Sequence, residues 1–118
     1  MSDHHANIFK SMKEIKFEDT ISHQCGVTMN DSVEARSIAE VMSEKPGVTV
    51  TYMPAMIRID GQGKLEFNMT EISEALGRTM TTNIFEISTS THYGRMVMID
   101  EDNVVLFGNM DDAMKYVV

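Results

Sequence analysis

From residue 25 onward the hydrophobic positions fall into short runs of two different periods. Ala35, Ile38, Ala39, Val41 and Met42 recur at helical spacing. Asn30-Asp31-Ser32 stand ahead of them as capping side chains. Glu34 follows Asp31 by three residues, as in a capping box, and Pro46-Gly47 ends the helix. The period then changes to two. Val48, Val50 and Tyr52 share one face of a strand, Ile57 and Ile59 alternate with Met56, Arg58 and Asp60, and Leu65 and Phe67 alternate beyond Gly61-Gln62-Gly63. With Gly61-Gln62-Gly63 as a hairpin turn, this pattern predicts an antiparallel meander.

A second helix is predicted from Asn68 or Thr70. Asn68 and Glu71 have capping-box spacing, Ile72, Ala75 and Leu76 form the buried stripe, and Gly77 is placed as a left-handed C-cap. Arg78 then puts a cation at the helix C-terminus, where the dipole favours it. Phe85 and Ile87 alternate with Glu86 and Ser88 as a strand would. A polar loop from Ser88 to His92 leads into Tyr93-Gly94-Arg95. Residues 95–99 and 104–107 read as a hairpin across Asp100-Glu101-Asp102-Asn103. A short terminal helix follows, with Met110, Ala113, Met114 and Val117 on one side. The short run before the first helix predicts a strand starting near Cys25. The fold class is therefore α+β, a mostly antiparallel sheet of short strands packed with two main helices.

Residues 1–24 lack a sustained strand pattern and hold three of the four histidines. They are expected to form a mobile N-terminal arm ahead of a single domain over 25–118. Ile8, Met12 and Ile15 make a weak helical stripe, with Lys10, Lys13 and Lys16 mostly elsewhere around it. Such a segment is too short to be a stable helix alone.

Composition narrows the function classes. A chain of 118 residues suits one two-layered core and leaves little room for a large internal active site. Eighteen acidic against ten basic residues give a net charge of -8, which repels phosphate backbones and disfavours nucleic acid as a partner. The lone cysteine, Cys25, rules out an internal disulfide and fits a reducing compartment. No apolar run approaches membrane-span length, and Met1-Ser2-Asp3-His4-His5 lacks the features of a signal peptide, so a cytoplasmic protein is expected. Twelve methionines with no tryptophan are either core filler or an adaptable surface for a partner.

Candidate chemistry is sparse. No Glu is followed three positions later by His, the spacing a helical di-iron site uses, and one cysteine cannot hold an iron–sulfur cluster or structural zinc. Cys25 near His23 reads as a small buried residue and not a nucleophile. Asp100, Asp102, Asp111 and Asp112 read as solvated turn and cap residues. No catalytic residue, cofactor or metal site is assigned. Glu86 and Arg95 flank the polar segment and either pair with each other or face a partner. Ser88, Ser90, Thr91, His92, Tyr93, Gly94 and Arg95 make up either a binding loop on a rigid scaffold or an exposed, threonine-rich edge strand.

Several segments together carry a family resemblance: Gly63-Lys64-Leu65, then Glu71-Ile72-Ser73-Glu74-Ala75-Leu76-Gly77-Arg78, then Phe85-Glu86-Ile87, then Ser90-Thr91-His92-Tyr93-Gly94-Arg95. In this order and spacing, over roughly residues 26–107, the chain resembles the coupling (effector) proteins of bacterial di-iron multicomponent monooxygenases. Its general character is nearest the propane and short-alkane branch. The family pattern often has Ser-Ser-Thr before an aliphatic residue and Gly-Arg. His92 and Tyr93 depart from it, so substrate preference does not carry over from methane or phenol systems. The resemblance implies a cofactor-free, non-catalytic protein, monomeric when free. Such a protein docks on a di-iron hydroxylase, changes access to its active site, and couples reductant and oxygen use to hydroxylation. Residues 88–95 would supply the main contact, with Arg78 and the arm secondary. A small enzyme, a structural subunit and an unrelated regulatory domain are the alternatives.

Overall fold

The computed structural model describes residues 24–115. The expected arm therefore lies outside the described residues except for Gln24, as does Val117 of the expected terminal stripe. Strand β1 spans Gln24–Asn30, helix α1 Val33–Ser43, β2 Val48–Met53, β3 Met56–Gln62 and β4 Lys64–Asn68. Helix α2 (Met69–Leu76) and helix α3 (Thr82–Ser88) follow, then β5 (Thr89–Tyr93), β6 (Arg95–Met98), β7 (Asn103–Phe107) and helix α4 (Met110–Met114). The class is the α+β one that the periodicities predict.

The helix starts form where side chains satisfy the first free amides. The Ser32 hydroxyl accepts from the Ala35 amide at 3.0 Å and caps α1. Asp31 instead forms a two-pronged pair with Arg36, at 2.8 and 2.9 Å, so the cap sits one residue later than capping-box spacing from Asp31 places it. Asn68 caps α2 by accepting from Glu71 N at 2.8 Å, and Gly77 closes that helix at φ +83°. Ala75 is exposed, so Met69 and Ile72, with half-buried Leu76, make the apolar contact of α2.

The strands do not form one meander. They divide into a four-stranded sheet of order β2-β3-β1-β5 and a three-stranded sheet of order β4-β7-β6. Gly61-Gln62-Gly63 is the corner where the chain leaves the first sheet for the second, and β3 and β4 do not pair. Gly61 is buried there, because a Cβ would lie 2.5 Å from Leu65 Cδ2, and Gly63 takes φ +86°. The inner face of the first sheet offers Cys25, Val27, Met29, Ile57 and Ile59. The second offers Leu65, Phe67, Val104 and Leu106, and these join Ala35, Ile38, Ala39 and Met42 of α1 in one cluster. Phe85 from α3 is fully buried with its ring 4.7 Å from that of Phe67. The outward face of β7, Val105 and Phe107, is covered by Ala113 of α4, while Met110 and Met114 stay exposed. Of the described members of the expected terminal stripe, Ala113 alone is buried.

Residues 82–88 correct the sequence reading. They are helical, and Thr81 caps them by accepting from Ile84 N at 3.1 Å. Residues two apart share a face of a strand but point nearly opposite ways on a helix. Phe85 is accordingly 0% exposed and Ile87 is 76% exposed.

Candidate functional site

The segment expected to be a polar loop is the end of α3 followed by the edge strand β5. Two of its hydroxyls turn inward to finish the helix: Ser88 Oγ donates to Ile84 O at 2.8 Å and Thr89 Oγ1 to Phe85 O at 3.1 Å. These i→i−4 back-bonds fold both hydroxyls onto the last turn, where the Thr89 amide also donates to Phe85 O. Strand β5 then pairs antiparallel with β1, matching Gly26 with Tyr93, Val27 with His92, Thr28 with Thr91 and Met29 with Thr89. The register slips between Thr28 and Met29, which leaves Ser90 as the extra residue of a bulge. Ser90, Thr91 and His92 are exposed, and their side chains make no hydrogen bond among the described residues.

Tyr93 is held. Gly26 of β1 stands opposite both Tyr93 of β5 and Asp60 of β3, so the three residues form a row across the sheet. The Tyr93 hydroxyl donates to Asp60 Oδ1 at 2.7 Å, and Arg58 Nη2 donates to the same oxygen at 3.2 Å. A Cβ on Gly26 would lie 2.4 Å from that oxygen and 2.6 Å from the Tyr93 ring, so only glycine leaves room for this arch. Burial of the ring, reinforced by the Asp60 carboxylate, pushes the Tyr93 phenol up to about 12.

Gly94 carries the chain from the edge of one sheet to the edge of the other. It has φ +103°, and a Cβ there would lie 2.7 Å from Phe107 O and 2.9 Å from Cys25 Cβ. Both conformation and space demand glycine at this corner. Arg95 follows as the first residue of β6 and is exposed. No ion pair joins it to Glu86, which is also exposed. Arg78 lies on a different element, after α2, where its guanidinium pairs with Glu34 at the start of α1. That contact, after the backbone amide of Glu34 itself, holds the Glu34 carboxyl below its usual range.

The remaining candidate chemistry resolves into structure. Cys25 is fully buried, its thiol donates to Leu106 O at 3.4 Å, and burial followed by the Asp60 charge pushes it up to about 11. Such a thiol is a poor nucleophile. Asp100 accepts from Asp102 N at 2.8 Å within its turn, and Asp102 accepts from Thr70 Oγ1 at 2.7 Å, fastening the β6–β7 turn to α2. Among the described residues no three His, Cys, Asp or Glu side chains are grouped to hold a metal ion.

The candidate residues therefore divide into two sets. Ser88, Thr89, Tyr93 and Gly94 hold the strand in place, while Ser90, Thr91, His92 and Arg95 are free to meet another surface. Sequence reasoning missed Ile87, a large apolar side chain left in solvent beside them. The signal that could have found it is Thr81 as an N-cap, which turns the Phe85–Ile87 alternation into a helical pair on opposite faces.

The chain belongs to the MmoB/DmpM family, whose profile matches residues 23–107. It is similar to the effector component of propane 2-monooxygenase from Rhodococcus jostii (strain RHA1), 47% identical over 96 residues that cover 81% of this chain and 84% of that one. The corresponding component from Gordonia sp. (strain TY-5) is 44% identical over 81% of this chain and 86% of its own. Among solved structures, a chain of a phenol hydroxylase–regulatory protein complex superposes with a TM-score of 0.64 at 28% identity, covering 73% of this chain and 99% of that chain.

Proposed function

We propose that the chain is the effector component of a multicomponent monooxygenase acting on propane or a similar short alkane. It binds the di-iron hydroxylase component and regulates it, without cofactor or catalytic residues of its own. The observation that carries this reading is the 47% identity to a propane 2-monooxygenase effector over 81% of the chain. The likeness to a chain from a hydroxylase–regulatory complex supports the partner class.

The docking element in this reading is β5 with its flanks: Ser90, Thr91, His92 and Arg95 as contacts, held by Ser88, Tyr93 and Gly94, with Arg78 at the periphery. To change access to the hydroxylase active site, and so couple reductant and oxygen use to hydroxylation, the protein must bind one hydroxylase conformation more tightly than another. The bulge at Ser90 and the corner at Gly94 interrupt the exposed edge. They protect it from pairing with a second copy, which supports a monomer in the free state. No helix of the described residues is long and apolar enough to cross a membrane. The single buried thiol suits a cytoplasmic setting.

The test is reconstitution. Titrating the protein into the cognate hydroxylase and its reductase should raise alcohol formed per reductant consumed, saturating near one effector per hydroxylase active site. A hydroxylase whose rate and coupling ignore the protein at every ratio would refute the assignment.

A further inference from the structure

Among the described residues Arg95 is the one lysine or arginine that holds no ion pair. Arg36, Lys45, Arg58, Lys64, Arg78 and Lys115 are all paired with carboxylates of the chain. Glu86, on the other flank of β5, is likewise exposed and has no cation partner among the described residues. These two opposite charges stand on either side of the docking strand and do not neutralise each other.

Glu86 also lines a cleft. Together with Thr89, Ser90, His92 and Met96 it lines an open cleft of about 270 Å³ where α3 meets β5 and β6. That is below the range of roughly 300–1,000 Å³ typical of small-molecule sites, and it suits a single side chain. Met96 is half-buried and supplies an apolar wall, the Ser90 bulge opens the rim, and Glu86 supplies the charge. A long aliphatic stem with a cationic head matches this combination, since such side chains lay their methylenes on apolar surface and keep the charge at a polar tip. The interrupted edge disfavours recognition by strand addition, so side chains must carry the contact.

We infer that the hydroxylase surface presents a pair of complementary charges to this strand: a lysine or arginine that enters the Glu86–Met96 cleft, and a carboxylate that meets Arg95. The inference rests on the effector reading and adds the chemistry of the partner's side. Setting two opposite charges on the two flanks of one strand fixes orientation as well as affinity, because a reversed partner meets like charges at both points.

The experiment measures binding of the full chain to the purified cognate hydroxylase, for the parent, Glu86→Gln, Arg95→Gln and the double variant, at low and high salt. Thermal melts of all four should coincide. Each single change should weaken binding about tenfold at low salt and the double about a hundredfold, since independent contacts add. The salt dependence should flatten with each change. Parent-like affinity in both single variants would overturn the inference and leave the effector reading intact. So would a double variant no weaker than a single one, because the two charges would then act only through each other. A parent protein that neither binds nor stimulates the hydroxylase would remove the reading on which the inference stands.

Discussion

Tyr93 and Asp60 meet across an intervening strand: the phenol of the edge strand reaches over Gly26 to the carboxylate of β3 at 2.7 Å. The contact ties the candidate docking strand to the centre of its sheet from the outer face, where no helix among the described residues covers it. Gly26→Ala should break it by forcing Tyr93 and Asp60 apart, at a cost of about 1–3 kcal/mol in denaturant unfolding. Tyr93→Phe, which only removes the hydrogen bond, should cost about 1 kcal/mol. If the alanine variant unfolds like the parent, the row is not what holds β5.

The same contact sets a pH dependence. The Tyr93 phenol is raised from 10 to about 12 in the folded protein, so the fold favours its neutral form. A raised folded value means a contribution fully present below the unfolded value and lost as pH climbs through the folded one. Stability from this residue should be constant below pH 10 and fade between pH 10 and about 12. Comparing parent and Tyr93→Phe by absorbance titration of phenolate should show one tyrosine in the parent ionising near the upper limit. Its absence from the difference curve would contradict the assignment.

Gly94→Val should cost more than any exposed change in the segment. The position combines φ +103° with a Cβ site 2.7 Å from the Phe107 carbonyl oxygen. Strain of this kind and overpacking each cost about 1–3 kcal/mol, so the midpoint of thermal unfolding should fall clearly. Melting together with the parent would show that the backbone can relax there.

Replacing Ser90, Thr91 and His92 together with alanine should leave the melting temperature nearly unchanged, because exposed substitutions shift stability by less than about 0.5 kcal/mol. Product formed per reductant consumed should nonetheless drop at limiting effector. Unchanged coupling would place the contact surface elsewhere.

Ile87→Ser offers a sharper contrast. The side chain is 76% exposed, so the fold loses little apolar burial when it goes. An exposed aliphatic anchor at the centre of an interface can carry more than about 2 kcal/mol of binding, and hydroxylase affinity should fall at least tenfold. A variant that binds as the parent does would mean that Ile87 stays in solvent in the complex as well.

Much of the fold and part of the candidate site follow from local rules that any reader of the chain can apply. Helix α1, the Asn68 cap and Gly77 stop of α2, the β2–β3 hairpin and the β6–β7 hairpin each depend on periodicity and end chemistry within a dozen residues. Arg95 and the hydroxyls of 88–92 are visible in the same way, as a polar run beside glycine. Residues 82–88 are not. Four positions alternating Phe, Glu, Ile and Ser fit a strand and a short helix equally well, and packing of Phe85 against Phe67 decides between them. Tertiary pairing alone also splits the strands into two sheets at Gly61–Gly63. The burial of Gly26 beneath Tyr93 and Asp60 likewise joins residues more than thirty positions apart. Local propensity reaches only neighbours along the chain. Which side chains of β5 are engaged and which are left for a partner depends on what folds back against them, and that is decided in three dimensions.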